Sequence, residues 1–277
     1  MAAGRLSVCA TPIGNLGDVT VRVLDALRDA DVIAAEDTRV TRTLLARYGI
    51  ETPMRSYHAH NLDARTPELV ERIAAGAHVA LVSDAGTPGV SDPGAHLVDA
   101  CIEAGLAVEV LPGPSATITA LVASGLPAHA FYFGGFLPRK AGERRTRLEA
   151  VAGLDATLVF YESPRRTAAA LAAIAEVLPG RQACMARELT KLHEEVARGR
   201  IDELAASLAE RELKGEVVLL VGPPARGEGE ILDIEGIRTR LDALAAEGVK
   251  RSDAVKRVAG EFGAPRNDVY RIAHGHE

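Results

Sequence analysis

An α/β fold, with a parallel sheet first, a mixed sheet second and a small helical appendage at the end, is the architecture this sequence predicts. Three observations carry it. From Leu6 to Pro112 short apolar runs alternate with helical patterns, the order of a parallel sheet covered on both faces. After Ser115 the strand candidates lengthen and the helices thin out, which suggests strands of mixed direction. The stretch GPPARGEGE, Gly222 to Glu230, cannot form a regular element, and short helical patterns follow it.

Taken in order, LSVCA, DVIAAED, VALVSD and VEVLPG read as the strands of the first region, and VTVRVLDALRDA, TRVTRTLLARYG, PELVERIAAGAH and PGAHLVDACIEAG as its helices. The PSATITALVASGLP helix leads into FYFGGF, TLVFYES, QACMARE, EEVARGRI and EVVLLVG as strands, with helices in RRTRLEAVAG, PRRTAAALAAIAEVL and DELAASLAER. Beyond the linker, IRTRLDALAAEG, SDAVKRVAGEFG and APRNDVYRIAHG read as three helices, with Ser252 as N-cap and Gly263 as C-cap of the second. The last two have the proportions of a helix-turn-helix. The expected domains are 1–113, 114–223 and 231–277.

The 277 residues can bury a sizeable core, and 47% hydrophobic with 25% charged residues at a mean hydropathy of +0.06 describes a globular chain, not a disordered one. No apolar run is long enough to span a bilayer, and the N-terminus lacks the apolar core of a signal peptide, so a cytoplasmic location is expected. Cys9, Cys101 and Cys184 lie apart in apolar stretches and read as reduced core thiols. With 4% aromatics and no Trp, extended stacking on single-stranded nucleic acid is not expected as the main recognition mode. The net charge of −6 is uneven: Lys and Arg number 9 against 15 acids over residues 1–113, but 8 against 6 over 236–277. The run Arg139, Lys140, Arg144, Arg145, Arg147 is either a solvated helix face or a patch for an anionic partner. The tail cations Lys256 and Arg257 pose the same choice between phosphate contact and a helical cap on the body.

Nucleotide-loop, zinc-protease and serine-hydrolase motifs are absent, and His58 and His60 lack the further ligands that a metal site needs. The densest chemical signal is SDAGTPGVSDPG, Ser83 to Gly94, directly after an apolar strand. Its glycines suggest a dinucleotide loop, but Pro88 falls where a helix N-terminus would have to offer free N–H groups. So rigid a loop suits a ligand held by backbone groups and shape. AAEDTR at Ala34 to Arg39 and ARELTK at Ala186 to Lys191 each place both charge signs beyond a strand end, where α/β sheets put ligands. Strand-end ion pairs and helix caps, Thr38 as an N-cap among them, are their alternative roles.

Together TPIGNLGDVT, AAEDTR, SDAGTPGVSDPG, LPGPSA at Leu111 to Ala116, FYESP at Phe160 to Pro164 and ARELTK resemble the tetrapyrrole-methylase superfamily. Within it they are similar to the ribosomal RNA small subunit methyltransferase I family, and the likeness covers nearly the whole chain. The resemblance implies the two-domain class III methyltransferase fold, S-adenosylmethionine as cofactor, a homodimer, and methylation of a cytidine 2′-hydroxyl in 16S rRNA of the small ribosomal subunit, with no metal and no membrane partner. Carried over by motif, the cofactor would meet Pro12, Ala85, Gly86, Thr87, Val90, Ser115, Ala116, Glu162 and Leu189. Related porphyrin methylases carry Gly-Gly-Asp-Pro where this chain has Ala85 to Pro88, a departure that fits a different substrate.

A ribose hydroxyl is a poor nucleophile, so a base or an alkoxide-stabilising cation is expected. The candidates are Glu36, Asp37, Arg39, Glu188 and Lys191, with Asp37 and Lys191 first. Asp84 and Asp92 either cap the loop or face the sulfonium. RNA contact is expected at Arg139, Lys140, Arg144, Arg145, Lys256 and Arg257, because phosphate contacts supply most non-specific affinity. The alternative reading is a small-molecule methyltransferase of the precorrin type, which has no need of the tail.

Overall fold

The computed structural model describes residues 4–224, 233–262, 264 and 266–274. The chain divides into two compact units, Met1–Pro224 and Ala225–Glu277.

The first sheet of the larger unit contains β1 (Arg5–Cys9), β2 (Val32–Ala35), β3 (Met54–Ser56), β4 (His78–Val82) and β5 (Ala107–Leu111) in the order β3-β2-β4-β1-β5. All its pairings are parallel. Helices α1 (Val21–Asp29) and α2 (Thr38–Arg47) cover one face through Leu27, Leu44 and Leu45 against Cys9, Ile33 and Val82. Helices α3 (Leu62–Ala74) and α4 (Gly94–Glu103) cover the other through Leu69, Ile73 and Leu97 against Leu6, Val8 and Leu81. Burial on both faces is why β2 and most of β1 and β4, the interior strands, are apolar on both sides of the pleat. Two details differ from the expectation. Strand β3 is too short and half-buried to leave a periodic signal, and α3 begins at Leu62 and runs through Pro67, which removes only one backbone bond.

Helix α5 (Ala116–Ser124) leads to the second sheet: β6 (Phe131–Phe136), β7 (Thr157–Glu162), β8 (Gln182–Arg187), β9 (Glu195–Arg200) and β10 (Val217–Val221). Their order is β6-β7-β10-β8-β9, parallel between β6 and β7 and antiparallel elsewhere, the mixed sheet expected. Helices α6 (Ala141–Val151), α7 (Thr167–Val177) and α8 (Ile201–Leu208) bury Leu148, Leu171, Ile174 and Leu204 against Leu158, Phe160 and Leu219. The three cysteines are free and buried.

The smaller unit has α9 (Ile234–Ala246), α10 (Arg251–Glu261) and α11 (Arg266–Ala273) around Ile237, Leu244, Val255, Val258 and Val269. Ser252 is not an N-cap, since α10 already starts at Arg251 after Lys250. Gly263 lies outside the described residues. No described helix is long and apolar enough to cross a membrane.

At the amino end of the first sheet His78 is buried, with Ser7 Oγ 2.9 Å from Nε2 and Arg5 Nη2 3.2 Å from Nδ1. Burial, and then the Arg5 charge, lower its pKa below 6.5 against the pull of Asp29 and Asp31. The neutral ring is favoured in the fold, so the unfolded chain takes up a proton first as pH falls, and His78 then lowers stability. Urea unfolding at about pH 7.5 and about pH 5.5 checks this: the loss on acidification is expected to shrink in His78→Asn, even though the variant is weaker at both values.

Candidate active site

The carboxyl ends of the first sheet supply one wall of a cleft of about 450 Å³. Backbone hydrogen bonds from Thr11 N–H to Gly86 O (2.9 Å) and from Gly86 N–H to Thr11 O (3.0 Å) join the turn after β1 to the loop after β4. Residue 86 has φ +81°, which glycine adopts without a Cβ penalty. The Thr11 hydroxyl donates to Ser83 O (3.0 Å) and that of Thr87 to Pro114 O (3.3 Å), so the loop is anchored to both neighbouring turns. Asp92 Oδ1 accepts from the N–H groups of Gly89 (2.8 Å) and Gly94 (2.7 Å), which closes the loop at the start of α4, and Asp92 also lines the cleft.

The second sheet supplies the opposite wall. Tyr161, at the end of β7, shares a 2.9 Å hydrogen bond with Thr117, and burial raises its pKa. Glu162 is 2% exposed, and burial holds its pKa above the ordinary value against Arg166 and Arg144. Its Oε1 accepts from Ser163 N–H at 2.8 Å, while Oε2 lies 3.1 Å from Arg166 Nη2 without a hydrogen-bond partner. Between β8 and β9, Glu188 (φ +52°) and Thr190 (φ +68°) take left-handed conformations that non-glycine residues rarely adopt, and the turn they make directs buried Leu189 into the cleft. Asn15 N–H donates to Thr190 Oγ1 at 3.1 Å, which ties this loop to the opposite wall.

Two clusters of charge flank the cleft. Glu36 lines it, and burial raises its pKa, with Asp84, Asp92 and Asp37 adding to the rise and an Asp84 N–H bond opposing it. Asp84 N–H donates to Glu36 Oε2 (3.3 Å) while Asp84 Oδ1 accepts from Asp37 N–H (2.9 Å). Asp37, and not Thr38, is the N-cap of α2, accepting from Arg39 N–H at 2.8 Å and gripped by the Arg39 guanidinium at 2.6 Å. Those bonds lower its pKa to about 2. In the other cluster Lys191 Nζ lies 2.8 Å from Glu188 Oε1 and 3.1 Å from Glu216 Oε2. Burial opposes its charge, but the two carboxylates outweigh that and leave its pKa above the ordinary lysine value.

Of the residues expected to hold a cofactor, Ala85, Gly86, Thr87, Val90, Ser115, Ala116, Glu162 and Leu189 line the cleft. Pro12 is buried and does not line it, and its neighbour Ile13 does. Of the charged candidates Glu36 lines it; Asp37, Arg39, Glu188 and Lys191 stand beside it. Tyr161, Phe136 and Glu216 were missed; the only signal for Tyr161 was its place in FYESP, and Glu216 had none. His58 and His60 belong to the turn before α3, and no group of three metal-binding side chains occurs among the described residues.

The basic run divides. Arg145 pairs with Glu149 and Glu176 (each 2.8 Å) and Lys140 with Glu143 (2.9 Å), whereas Arg144 is half-buried with its Nε enclosed. Arg139 is exposed, as are Lys256 and Arg257 in the smaller unit.

Two sheets meeting at a loop-built apolar cleft define a class of protein: residues 5–205 match the family described as Tetrapyrrole (Corrin/Porphyrin) Methylases. A solved uroporphyrin-III C-methyltransferase from Thermus thermophilus, in complex with S-adenosyl homocysteine, shares the fold at TM-score 0.56 and 21% identity, over 80% of this chain and 99% of its own. Ribosomal RNA small subunit methyltransferase I of Mesorhizobium japonicum is 48% identical over 92% of this chain and 88% of its own length. The Halalkalibacterium halodurans protein of that name is 43% identical over 98% and 95%. The chain belongs to the tetrapyrrole methylases and, within them, to the ribosomal RNA small subunit methyltransferase I family.

Removing the guanidinium in Arg39→Ala is expected to return the Asp37 carboxyl from about 2 toward 3.8. Carbon-detected NMR titration checks it, and an unmoved value would assign the depression to the α2 amides alone.

Proposed function

We infer that this protein transfers the methyl group of S-adenosylmethionine to 16S rRNA of the small ribosomal subunit, at the 2′-hydroxyl of a cytidine. The observation that carries the reading is the 43–48% identity to proteins named ribosomal RNA small subunit methyltransferase I, extending over at least 92% of the chain. The cleft residues fit the cofactor. Its volume of about 450 Å³ lies within the range of small-molecule sites, its lining is largely apolar, and the buried Glu162 Oε2 is an acceptor still lacking a hydrogen-bond donor.

Ala85 to Thr87, Val90, Ser115 and Ala116 would hold the cofactor from one wall, and Glu162 and Leu189 from the other. When bound it supplies a methyl group already activated by positive charge on sulfur, so positioning contributes much of the rate. The chain must still manage the proton of the attacking hydroxyl. Glu36 is the base in this reading, because it lines the cleft and burial makes its carboxylate more basic than usual. Asp37, at about 2, is too weak a base and acts as a cap. Lys191 remains a cation that steadies the loop carrying Leu189; Arg39 and Glu188 support these two groups.

Phosphate contacts fall to Arg139, Lys140 and Arg145 in the larger unit and to Lys256 and Arg257 in the smaller. The ion pairs of Lys140 and Arg145 are solvent-exposed, so they contribute little and exchange readily for phosphate. Arg144 is assigned to the support of Glu162. A homodimer in the cytoplasm completes the reading, and the exposed Val110 and Val122 are apolar surface that a second copy would cover.

Labelled S-adenosylmethionine offered in parallel to small subunits, free rRNA and a uroporphyrin should label RNA, with the methyl on ribose after nucleoside digestion. Label on a base, or in the porphyrin alone, would overturn the assignment. Glu36→Gln is expected to lower kcat by about 100-fold or more with cofactor affinity kept. The wild-type rate should fall with acidification through a pKa above 4.5, and the variant's profile should lose that limb.

A further inference from the structure

Phe136 is one of only five phenylalanines in the chain, and it stands 57% exposed on the wall of the cleft. Its orientation is built into β6. The register runs from Phe133 opposite Val159 to Phe136 opposite Tyr161, so three steps on β6 match two on β7, a bulge of the kind that re-aims a side chain. Gly135 supplies the left-handed residue of that bulge (φ +64°), and Gly134 lies flat on Phe160, where a Cβ would come within 2.4 Å of the ring. Tyr161 buttresses Phe136 edge-to-face at 5.6 Å and is itself held by Phe133 at 4.9 Å and by the Thr117 hydrogen bond. A ring so firmly placed and so exposed is poised to stack on a flat partner.

We propose that Phe136 is the platform on which the base of the reacting cytidine stacks, with Arg139 meeting the adjoining phosphate; the inference rests on the rRNA reading above. A large RNA reaches the mouth of a cleft and not its floor. Phe136 is exposed, whereas Leu189 on the same cleft is 6% exposed and suits an enclosed cofactor ring. Arg139 is exposed three residues beyond Phe136, at most about 11 Å of extended backbone away, so its long side chain can serve the phosphate of a nucleotide whose base lies on the ring. Stacking reads a π-face without demanding hydrogen bonds, and the hydroxyl is thereby presented to Glu36.

The experiment compares wild type, Phe136→Ala, Phe136→Leu and Phe136→Tyr by calorimetric titration with S-adenosyl homocysteine and by steady-state methyl transfer to small ribosomal subunits. Expected for Phe136→Ala are an unchanged Kd for the cofactor product and a kcat/KM lower by about 5- to 150-fold, with Tyr restoring it and Leu not. A weakened Kd would assign the ring to the cofactor, and an unchanged kcat/KM, or full rescue by Leu, would remove the stack; each overturns the proposal. If wild type transfers no methyl to any rRNA, the functional reading falls and this inference falls with it, whereas transfer by wild type with Phe136→Ala unaltered overturns this inference alone.

Discussion

Two backbone hydrogen bonds between Thr11 and Gly86 hold the turn after β1 against the loop after β4, and the geometry of the cleft depends on them. Each strand of a parallel sheet ends in a loop that is free to diverge from its neighbour. Here the bridge removes that freedom where two interior strands, β1 and β4, finish side by side. It requires a left-handed residue at position 86, and an L side chain there would cost about 1–2 kcal/mol. With the loop fixed at Thr11, its later parts follow: Thr87 reaches Pro114, and Asp92 gathers the amides of Gly89 and Gly94 at the start of α4.

The same constraint sorts carboxylates that are adjacent in sequence. Because the β4 loop is fixed, Asp84 is brought against the end of β2 and exchanges backbone-to-side-chain hydrogen bonds with Glu36 and Asp37. Glu36 is left facing the cleft, half-buried and close to like charges, while Asp37 turns to the start of α2, where an amide and a guanidinium stabilise its charge. One neighbour becomes a better base than free glutamate and the other a worse base than free aspartate. The proposed proton acceptor is accordingly the residue that lines the cleft, while its neighbour caps α2.

Much of this was legible in the sequence. Runs such as VALV and VVLLV announce strands covered on both faces, and the alternating order of helices and strands announces the two sheets. The loops lining the cleft were legible because rigid turns need glycine and proline at definite places, as in SDAGTPGVSDPG. What stayed hidden depends on distance through space. Nothing in AAEDTR says that Arg39 folds back on Asp37, so that Asp37 stood first among the candidate bases before the ion pair was visible. Lys191 beside Glu216 joins residues 25 apart along the chain. Strand β3 was missed for another reason, since three half-buried residues leave no period to detect.

An acidic chain that handles an anionic polymer must concentrate its cations, and the distribution found here differs from the one that a count of arginines suggests. The run from Arg139 to Arg147 is not one patch. Arg144 is half-buried with its Nε enclosed, and Arg145 and Lys140 carry carboxylate partners on the surface. Exposed pairs of this sort hold their cations loosely, so they leave the basic surface available while limiting non-specific attraction. Arg139, at the carboxyl side of the β6 bulge, is set apart from them by its closeness in sequence to the exposed ring of Phe136. Selectivity at such a surface comes less from total charge than from where one cation stands relative to one aromatic ring and one basic carboxylate. In this chain the ring and the carboxylate both line the cleft whose loops the Thr11–Gly86 bridge holds in place, and the cation follows the ring by three residues.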